Sequence, residues 1–159
     1  MGPSERIDNR RRIVLAAGVF DLLHLGHVRF LEAAKKCGGD GAILVVVVAR
    51  DRTVEKRKRE RPVMSENQRR ALVEALEVVD EAILGCEDFS IEKVVERFSP
   101  DIIALGHDQK SIEETLRKTT IGESSKIRIC VVNKFSEDEL NSSSEIKKKI
   151  IEIFKRNNA

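Results

Sequence analysis

The chain has 159 residues, of which 41% are hydrophobic, so it can form one domain with an ordinary core but not two catalytic domains. Its longest apolar run, residues 42–49, is far shorter than the roughly 20 residues that span a bilayer, and no apolar signal segment opens the chain, so we expect a cytoplasmic protein without a membrane partner. The net charge is only +2, but residues 1–70 hold 16 Lys and Arg against 9 Asp and Glu, a basic half compatible with nucleic acid, a membrane surface or a phosphorylated small molecule.

The first half of the chain predicts two strands and two helices. An apolar run at residues 12–17 predicts the first strand, and apolar residues follow at helical spacing in residues 28–35. Residues 42–49 form a continuous, mostly β-branched run, which is typical of a strand covered on both faces in a parallel sheet. A charged loop is expected at residues 50–61, and the capping box that begins at Ser65 predicts the next helix.

The second half continues the alternation of strands and helices. Strands are predicted at residues 79–84, 101–105 and 127–132, and helices at residues 91–98, 112–118 and 142–155. The last of these helices is amphipathic, and its apolar face is expected to pack on the core. That face consists of Ile146, Ile150, Ile153 and Phe154.

Regular alternation of this kind requires a parallel sheet with right-handed crossovers and helices on both faces. We therefore predict a single doubly wound, Rossmann-like α/β domain with a five-stranded parallel sheet over residues 12–155. Residues 1–11 are expected to form an N-terminal extension. Ligands of such folds bind beyond the carboxyl ends of the strands, so the residues that follow each strand are the candidates for a site.

The segment GVFDLLHLGH, residues 18–27, follows the first strand. It contains neither GxGxxG nor GxxxxGK[ST], which disfavours the commonest dinucleotide-binding and NTPase loops. Instead, His24 and His27 flank Gly26 at the expected start of a helix. Two imidazoles and the backbone N–H groups of the first helical turn can therefore converge on one anion, and a nucleotide phosphate fits this arrangement.

Metal and disulfide chemistry is disfavoured by the spacing of the possible ligands. The three cysteines are far apart and form no CxxC pair, so we expect reduced thiols rather than a disulfide framework or a zinc ribbon. Zinc held by three histidines is the alternative, but only two carboxylates lie near them in sequence, and we expect no metal bound by side chains alone. The residues concerned are Cys37, Cys86, Cys130, His24, His27, His107, Asp21 and Asp108.

Residues 50–61, which follow the second strand, contain seven basic and three acidic residues. A solvated charged loop is one interpretation, and a nucleic-acid surface is another. The chain has six Phe but no Tyr and no Trp, which argues against a surface that stacks bases, so we expect no nucleic-acid partner. The position at a strand end favours phosphate binding.

Three hydroxyls, those of Ser142, Ser143 and Ser144, stand at the start of the last predicted helix. Capping of the helix explains one of them. The other two are predicted to donate to phosphate oxygens at the positive end of the helix dipole.

The HxGH core of residues 18–27 resembles the signature of the HxGH nucleotidyltransferase superfamily and of its cytidylyltransferase-like branch. The similarity extends over roughly residues 13–150 and is closest to the archaeal FAD synthases. This resemblance implies a homodimeric enzyme that transfers AMP from ATP to FMN and releases pyrophosphate. A cytidylyltransferase that uses CTP and glycerol 3-phosphate, or another alcohol phosphate, is the alternative within the branch. The segments that carry the similarity include residues 49–69, 100–109 and 140–146.

The resemblance also implies roles for individual residues. His24 and His27 would contact the nucleotide phosphates and stabilise the charge that builds up as the phosphoanhydride breaks. Lys56 and Lys58 would neutralise the triphosphate or bind the acceptor phosphate, and Arg69 would reach a phosphate bidentately. The other nucleotide-binding positions are Gly18, Val19, Phe20, Asp21, Gly26, Gly106, Asp108, Ser142, Ser143 and Ser144.

One departure from the family concerns an Arg-Thr pair that cytidylyltransferases usually carry just before the serine segment. Here residues 137–141 read EDELN, so Arg52, Arg57 or Arg69 would have to compensate. The acceptor phosphate of FMN is already a nucleophile, and the reaction needs no general base. Mg²⁺ is expected on the triphosphate with few protein ligands. Candidates for an apolar wall beside the flavin are Phe20, Phe89 and Phe135.

Overall fold

Five strands alternate with helices along the computed structural model, which describes residues 11–87, 90–118, 126–135 and 140–158. The strands are β1 (Ile13–Gly18), β2 (Ile43–Val48), β3 (Glu81–Leu84), β4 (Ile102–Gly106) and β5 (Arg128–Val132). The helices are α1 (Leu25–Cys37), α2 (Asp51–Lys58), α3 (Glu66–Glu74), α4 (Ile91–Phe98), α5 (Lys110–Lys118) and α6 (Ser143–Asn157). All five strands were expected from the sequence at these places. Residues 1–10 of the expected extension and Phe89 lie outside the described residues.

All the strand pairs are parallel, in the order β3-β2-β1-β4-β5. The register brings the carboxyl ends of the strands to one edge, where Gly18 lies beside Val48 and Gly106 beside Val132. The strand order reverses at β1, between β2 and β4, so a crevice opens there. The predicted doubly wound, Rossmann-like fold is confirmed.

Two apolar clusters cover the two faces of the sheet. One joins β1 and β2 to α1 and α3, with Leu31 and Val73 fully buried. The other joins the sheet to α4 and α5 through Val94 and Leu116. Since side chains alternate along a strand, successive residues of β2 enter opposite clusters, which explains its unbroken apolar sequence. The predicted placement of helices on both faces is confirmed.

Residues 50–61, expected to form a loop, instead contain α2. Their Arg, Lys and Glu residues favour a helix, and the carboxylate of Glu66 accepts the Asp51 N–H at 2.8 Å in the first turn. Thr53 and Val54 are each 5% exposed and attach the helix to the domain. The helix ends at Arg59, where φ is +54°.

The orientation expected for the last helix is wrong. Ile150, Ile153 and Phe154 are 56%, 46% and 68% exposed, although they were predicted to face the core. The contacts that hold α6 lie in its first turns, where Ser143 donates to the Asp21 carbonyl and Lys147 binds Glu60 at 2.8 Å. An amphipathic pattern shows that a helix has an apolar face, but it does not show that another part of the same chain packs against that face.

The expectation of reduced thiols is also wrong for two of the three cysteines. Cys37, at the end of α1, and Cys130, in β5, form a disulfide, and their Cα atoms are 6.5 Å apart. The two residues are 93 positions apart in sequence, so spacing alone could not pair them. Both pack against the cluster between α1 and the sheet, whereas Cys86 is a free, half-buried thiol.

Among the described residues, no helix is long and apolar enough to cross a membrane.

Candidate active site

A cleft of about 690 Å³ opens at the carboxyl ends of the strands, where the fold predicted a site. Its volume lies in the range usual for sites that bind small molecules. The segments after all five strands and the start of α6 contribute to its wall. Most of the predicted site residues line it, namely Gly18, Val19, Phe20, Asp21, His24, Gly26, His27, Lys58, Gly106, Asp108, Ser142, Ser143 and Ser144.

The two histidines form a stacked pair at the start of α1. Their ring centroids are 3.7 Å apart, and the planes are inclined by 23°. His24 is the N-cap residue, and its backbone N–H donates to Nδ1 of His27 at 3.4 Å. Because Nδ1 of His27 accepts a hydrogen bond, the neutral ring carries its proton on Nε2. His27 therefore offers an N–H donor at the N-terminus of a helix.

Burial disfavours the protonated, charged form of both imidazole rings. It lowers the pKa of His27 from 6.5 to about 4, with a further contribution from His24 and an opposing one from Asp21. Burial also lowers the pKa of His24, against the opposing charge of Glu145. His27 is accordingly neutral at pH 7, and it can stabilise developing negative charge by hydrogen bonding rather than by a fixed positive charge.

Gly26 lets the starts of α1 and α6 approach each other closely. A Cβ atom at this position would lie 2.9 Å from the carbonyl oxygen of Asn141 and 3.0 Å from Nδ1 of His24. A side chain here would therefore push apart two helix N-termini that both line the cleft. Because the positive ends of both helix dipoles meet at the cleft, the glycine of HxGH is part of a geometry that could accommodate an anion.

The serine segment holds α6 in place as well as lining the cleft. The Ser142 hydroxyl accepts the Glu145 N–H at 3.2 Å, and the Ser142 N–H donates to the Glu145 carboxylate at 3.1 Å. The Ser143 hydroxyl donates to the Asp21 carbonyl. Two of the three hydroxyls thus have protein partners, more than simple capping predicted. Contact of this segment with phosphate stays a prediction.

The cations of α2 that line the cleft are not the two lysines predicted from the sequence. Thr53, Val54, Arg57 and Lys58 line the cleft, because residues three and four apart share one face of a helix. Lys56 lies outside this face and is exposed, so the structure does not bring the predicted lysine pair together. Arg57 was one of the candidates to replace the missing family arginine, and it does reach the cleft. Arg61, which also lines the cleft, was missed; it lies beyond the end of α2, where helical periodicity does not apply, and it pairs with Glu55 at 3.1 Å.

The prediction that Arg69 contacts a phosphate is wrong. Its side chain is fully buried, and Nε donates to the Met64 carbonyl at 3.0 Å. Nη1 donates to the Val19 carbonyl, and Nη2 donates to the Ala49 carbonyl at 2.8 Å. Nη2 also donates to the carboxylate of Asp51 at 2.6 Å. Arg69 is a positioning residue that joins the segments after β1, β2 and α2.

Asp21 and Gln109 complete this frame behind the cleft. The carboxylate of Asp21 accepts the N–H groups of Val63 and Met64 at 2.8 and 3.0 Å. The side chain of Gln109 donates to the Ala17 carbonyl at 3.0 Å and accepts the Gly106 N–H at 2.8 Å, which links the ends of β1 and β4. The role of Gln109 was missed, since nothing in its local sequence points across the sheet to β1.

The alternative of a zinc site finds no support in this geometry. His107 lines the same cleft as His24 and His27. Within residues 11–87, 90–118, 126–135 and 140–158, no group of three or more His, Cys, Asp or Glu side chains is arranged to hold a metal ion. The described side chains offer hydrogen-bond donors and cations to an anionic ligand.

The fold and the cleft agree with a known family. Residues 15–149 match the cytidylyltransferase-like family, and the chain belongs to it. A protein of Methanobrevibacter smithii named FAD synthase is 47% identical over 86% of this chain and 89% of its own length. An FAD synthase of Ferroglobus placidus is 46% identical, and the match covers 88% of each chain.

Solved structures agree with this assignment. A lipopolysaccharide core biosynthesis protein from Thermoplasma volcanium superposes with a TM-score of 0.67 at 43% identity, over 81% of this chain and 100% of that one. A protein with unknown function from Archaeoglobus fulgidus superposes with a TM-score of 0.58 at 19% identity, over 79% of this chain and 99% of that one. The second likeness concerns the fold alone.

Replacement of Arg69 by Met should destabilise the protein strongly. The variant leaves three carbonyls and the Asp51 carboxylate without their donor, and breaking a buried ion pair costs about 3 to 5 kcal/mol. Urea unfolding monitored by circular dichroism measures the loss. Arg70→Met on the same helix is the matched control, because its i,i+4 pair with Glu74 is half-exposed and is worth less than about 1 kcal/mol. Equal stability of the two variants would contradict the role of Arg69.

The His27 ring should titrate near pH 4 in the free protein, well below the usual 6.5. Because the unfolded chain takes up this proton first, His27 lowers stability as the pH falls from 6.5 towards 4, and above 6.5 it has no such effect. NMR of the imidazole resonances across this range measures the pKa, with His27→Asn to assign the signal. A midpoint at or above 6.5 would contradict the account of a buried, neutral ring.

Proposed function

We propose that the chain is an FAD synthase, a nucleotidyltransferase that transfers AMP from ATP to FMN and releases pyrophosphate. The observation that carries this proposal is the meeting of two helix N-termini and the stacked His24–His27 pair at one cleft. Such a site suits a reaction whose main difficulty is to bring two phosphate groups together. The relatives named FAD synthase, at 45–47% identity, support the choice of substrates.

The reaction needs little covalent participation from the protein. A phosphate oxygen of FMN attacks the α-phosphorus of ATP, and the bond from that phosphorus to the bridging oxygen of the pyrophosphate group breaks. The bonding electrons leave with pyrophosphate, so no proton has to be removed from the nucleophile. The protein therefore contributes alignment and electrostatic stabilisation.

His24 and His27 are the proposed catalytic residues. Nε2–H of His27 donates to the phosphate oxygens on which charge increases, and its neutrality favours the transition state over simple attraction of any anion. The nucleotide is proposed to lie over β1 and β4. There Gly106 and Asp108 line the cleft opposite Gly18.

The cations of the cleft are proposed to bind phosphates. Lys58 and Arg57 lie on the face of α2 that lines the cleft, and Arg61 lines it from the segment after the helix. They are placed to offset repulsion between the acceptor phosphate and the triphosphate.

Lys147, on the first turns of α6, pairs with Glu60 across the opening of the cleft. This ion pair lowers the pKa of Glu60, chiefly through the hydrogen bond from Lys147.

Mg²⁺ is the proposed metal, bound through the triphosphate. The donor set fits that mode, since Asp108 lines the cleft while the described residues provide no cluster of three ligands, and Mg²⁺ keeps waters and phosphate oxygens as its main ligands. When bound, the ion supplies neutralisation of charge on the leaving pyrophosphate. Asp108 is the residue that would approach it.

The cellular setting follows from the substrates. We propose a cytoplasmic location, because ATP and FMN are held inside the cell. No nucleic-acid partner is proposed, since Arg57, Lys58 and Arg61 line the cleft and the chain has no Tyr or Trp to stack on bases. Fractionation of cells with an antibody to the protein tests the location.

An assay with ATP, FMN and Mg²⁺ tests the function. We expect FAD and pyrophosphate as products, and we expect His27→Asn to lower kcat by a factor of about 10² to 10³, the effect of losing one donor to a developing negative charge. Arg29→Gln, on the exposed side of α1, is the control and should keep full activity. Formation of a CDP product from CTP and glycerol 3-phosphate, with no FAD, would instead support the cytidylyltransferase alternative.

The chain is also proposed to form a homodimer through α6. Ile150, Ile151, Ile153 and Phe154 are 46% to 68% exposed on one helix, and a second copy would cover them. Sedimentation equilibrium should give about twice the chain mass for the native protein and the chain mass for Ile150→Glu combined with Phe154→Lys. Lys148→Glu, exposed on the same helix, is the control. A native monomer would contradict the proposal.

A further inference from the structure

A small apolar recess opens from the cleft on the side of β2 and β3. It has a volume of about 30 Å³ and shares Ala17, Val47, Gly85 and Cys86 with the cleft wall. The recess reaches inwards to Leu15 and Val94, which belong to the core cluster beneath α4. It is therefore a gap at the top of the core that communicates with the site, on the opposite side of β1 from Gly106.

The described residues that line the recess offer almost no hydrogen bond to a ligand. Leu15, Val47 and Val94 are 1%, 7% and 7% exposed and contribute only hydrocarbon. The hydroxyl of Ser90, at the rim, accepts the Lys93 N–H and donates to Glu92, so it serves the start of α4. A ligand edge that carries nitrogen or oxygen would lose its hydrogen bonds to water here and gain none from the protein in return.

Polar contacts fix the backbone at Gly85, on one side of the mouth of the recess. Nε of Arg50 donates to the Gly85 carbonyl at 2.8 Å, and its Nη1 binds the Glu66 carboxylate at the same distance. A Cβ atom on Gly85 would lie 3.3 Å from Val47, so the backbone at Gly85 lies close to β2. The Gly85 side of the mouth is therefore preorganised and requires little ordering when a ligand enters.

We propose that this recess receives the dimethylbenzene edge of the FMN ring system. Both substrates carry a planar ring, but every edge of adenine bears nitrogen, whereas one edge of the isoalloxazine bears only C–H and methyl groups. The volume of the recess admits a small apolar edge and leaves the rest of the ring in the cleft. The flavin then lies over β2 and β3, with α2 and its cations on the same side. This assignment rests on FMN as the acceptor.

Removal of the two ring methyl groups tests the assignment. Dissociation constants of FMN and of an FMN analogue without these methyl groups are measured by quenching of flavin fluorescence. At about 0.8 kcal/mol for each buried carbon, the native protein should prefer FMN by on the order of tenfold. Ala17→Val fills the recess from β1 and should weaken FMN binding by about the same factor, with little change for the analogue, so that the preference disappears. ATP affinity should stay within about twofold.

Two further variants keep the result interpretable. Cys86→Leu fills the recess from its rim and should also remove the preference, so the test does not depend on the folding of Ala17→Val. Cys86→Ser adds no bulk to the side chain and should retain the preference. A native protein that binds FMN and makes FAD without any preference, or filled variants that keep it, would overturn the recess assignment alone. Absence of both FMN binding and FAD formation would overturn the proposed function, and the recess assignment with it.

Discussion

The cleft depends on one buried guanidinium. Arg69 is fully buried, and its hydrogen bonds end on the carbonyls of Val19, Ala49 and Met64, which lie in the segments after β1, β2 and α2. Its charge is balanced by Asp51 at 2.6 Å. Charge-assisted bonds strengthen where water is excluded, so none of these segments can shift without losing one of them. The rigidity extends further, because Asp21 holds residues 63 and 64 while its carbonyl holds α6 through Ser143.

This frame positions neutral hydrogen-bond donors at the cleft, where the proposed function places the reacting phosphates. His24 and His27 are stacked in a partly buried turn, where burial lowers the pKa of each ring. Fixed cations beside the reacting phosphate would attract the ground state and the transition state alike, whereas aligned N–H groups are worth most where charge develops. Alignment is useful only if the donors cannot move, and the close approach of Gly26 to Asn141 leaves little room for motion. The cations lie further along, on α2, where attraction without strict direction suffices.

The parts of the structure that could be predicted from sequence are those set by local periodicity. The apolar run of β2, the Ser65 cap of α3 and the position of HxGH after β1 follow from neighbouring residues, and the parallel sheet follows from their order. The errors arise where a partner is distant in sequence. Arg69 matched a family arginine, but its three carbonyl partners come from other segments. Cys37 and Cys130 meet only through the packing of α1 beside β5. Whether Phe154 is buried depends on whether another part of the chain packs against that face of α6, and the periodicity of α6 alone does not show this.

The division of the cleft by β1 also bears on how an acceptor is selected. Helix N-termini, imidazole N–H groups and the α2 cations are the proposed phosphate-binding groups, and ATP, CTP, FMN and glycerol 3-phosphate all carry phosphate. Such donors bring substrates together but cannot distinguish one acceptor from another, since discrimination requires a difference in contacts. The surface beyond the phosphates must supply that difference. On the β2 and β3 side that surface is hydrocarbon from Leu15, Val47 and Val94. Glycerol 3-phosphate has no apolar edge to fill it, whereas a flavin does. On the proposed assignment, core residues of β1, β2 and α4 would therefore make the same cleft selective for FMN.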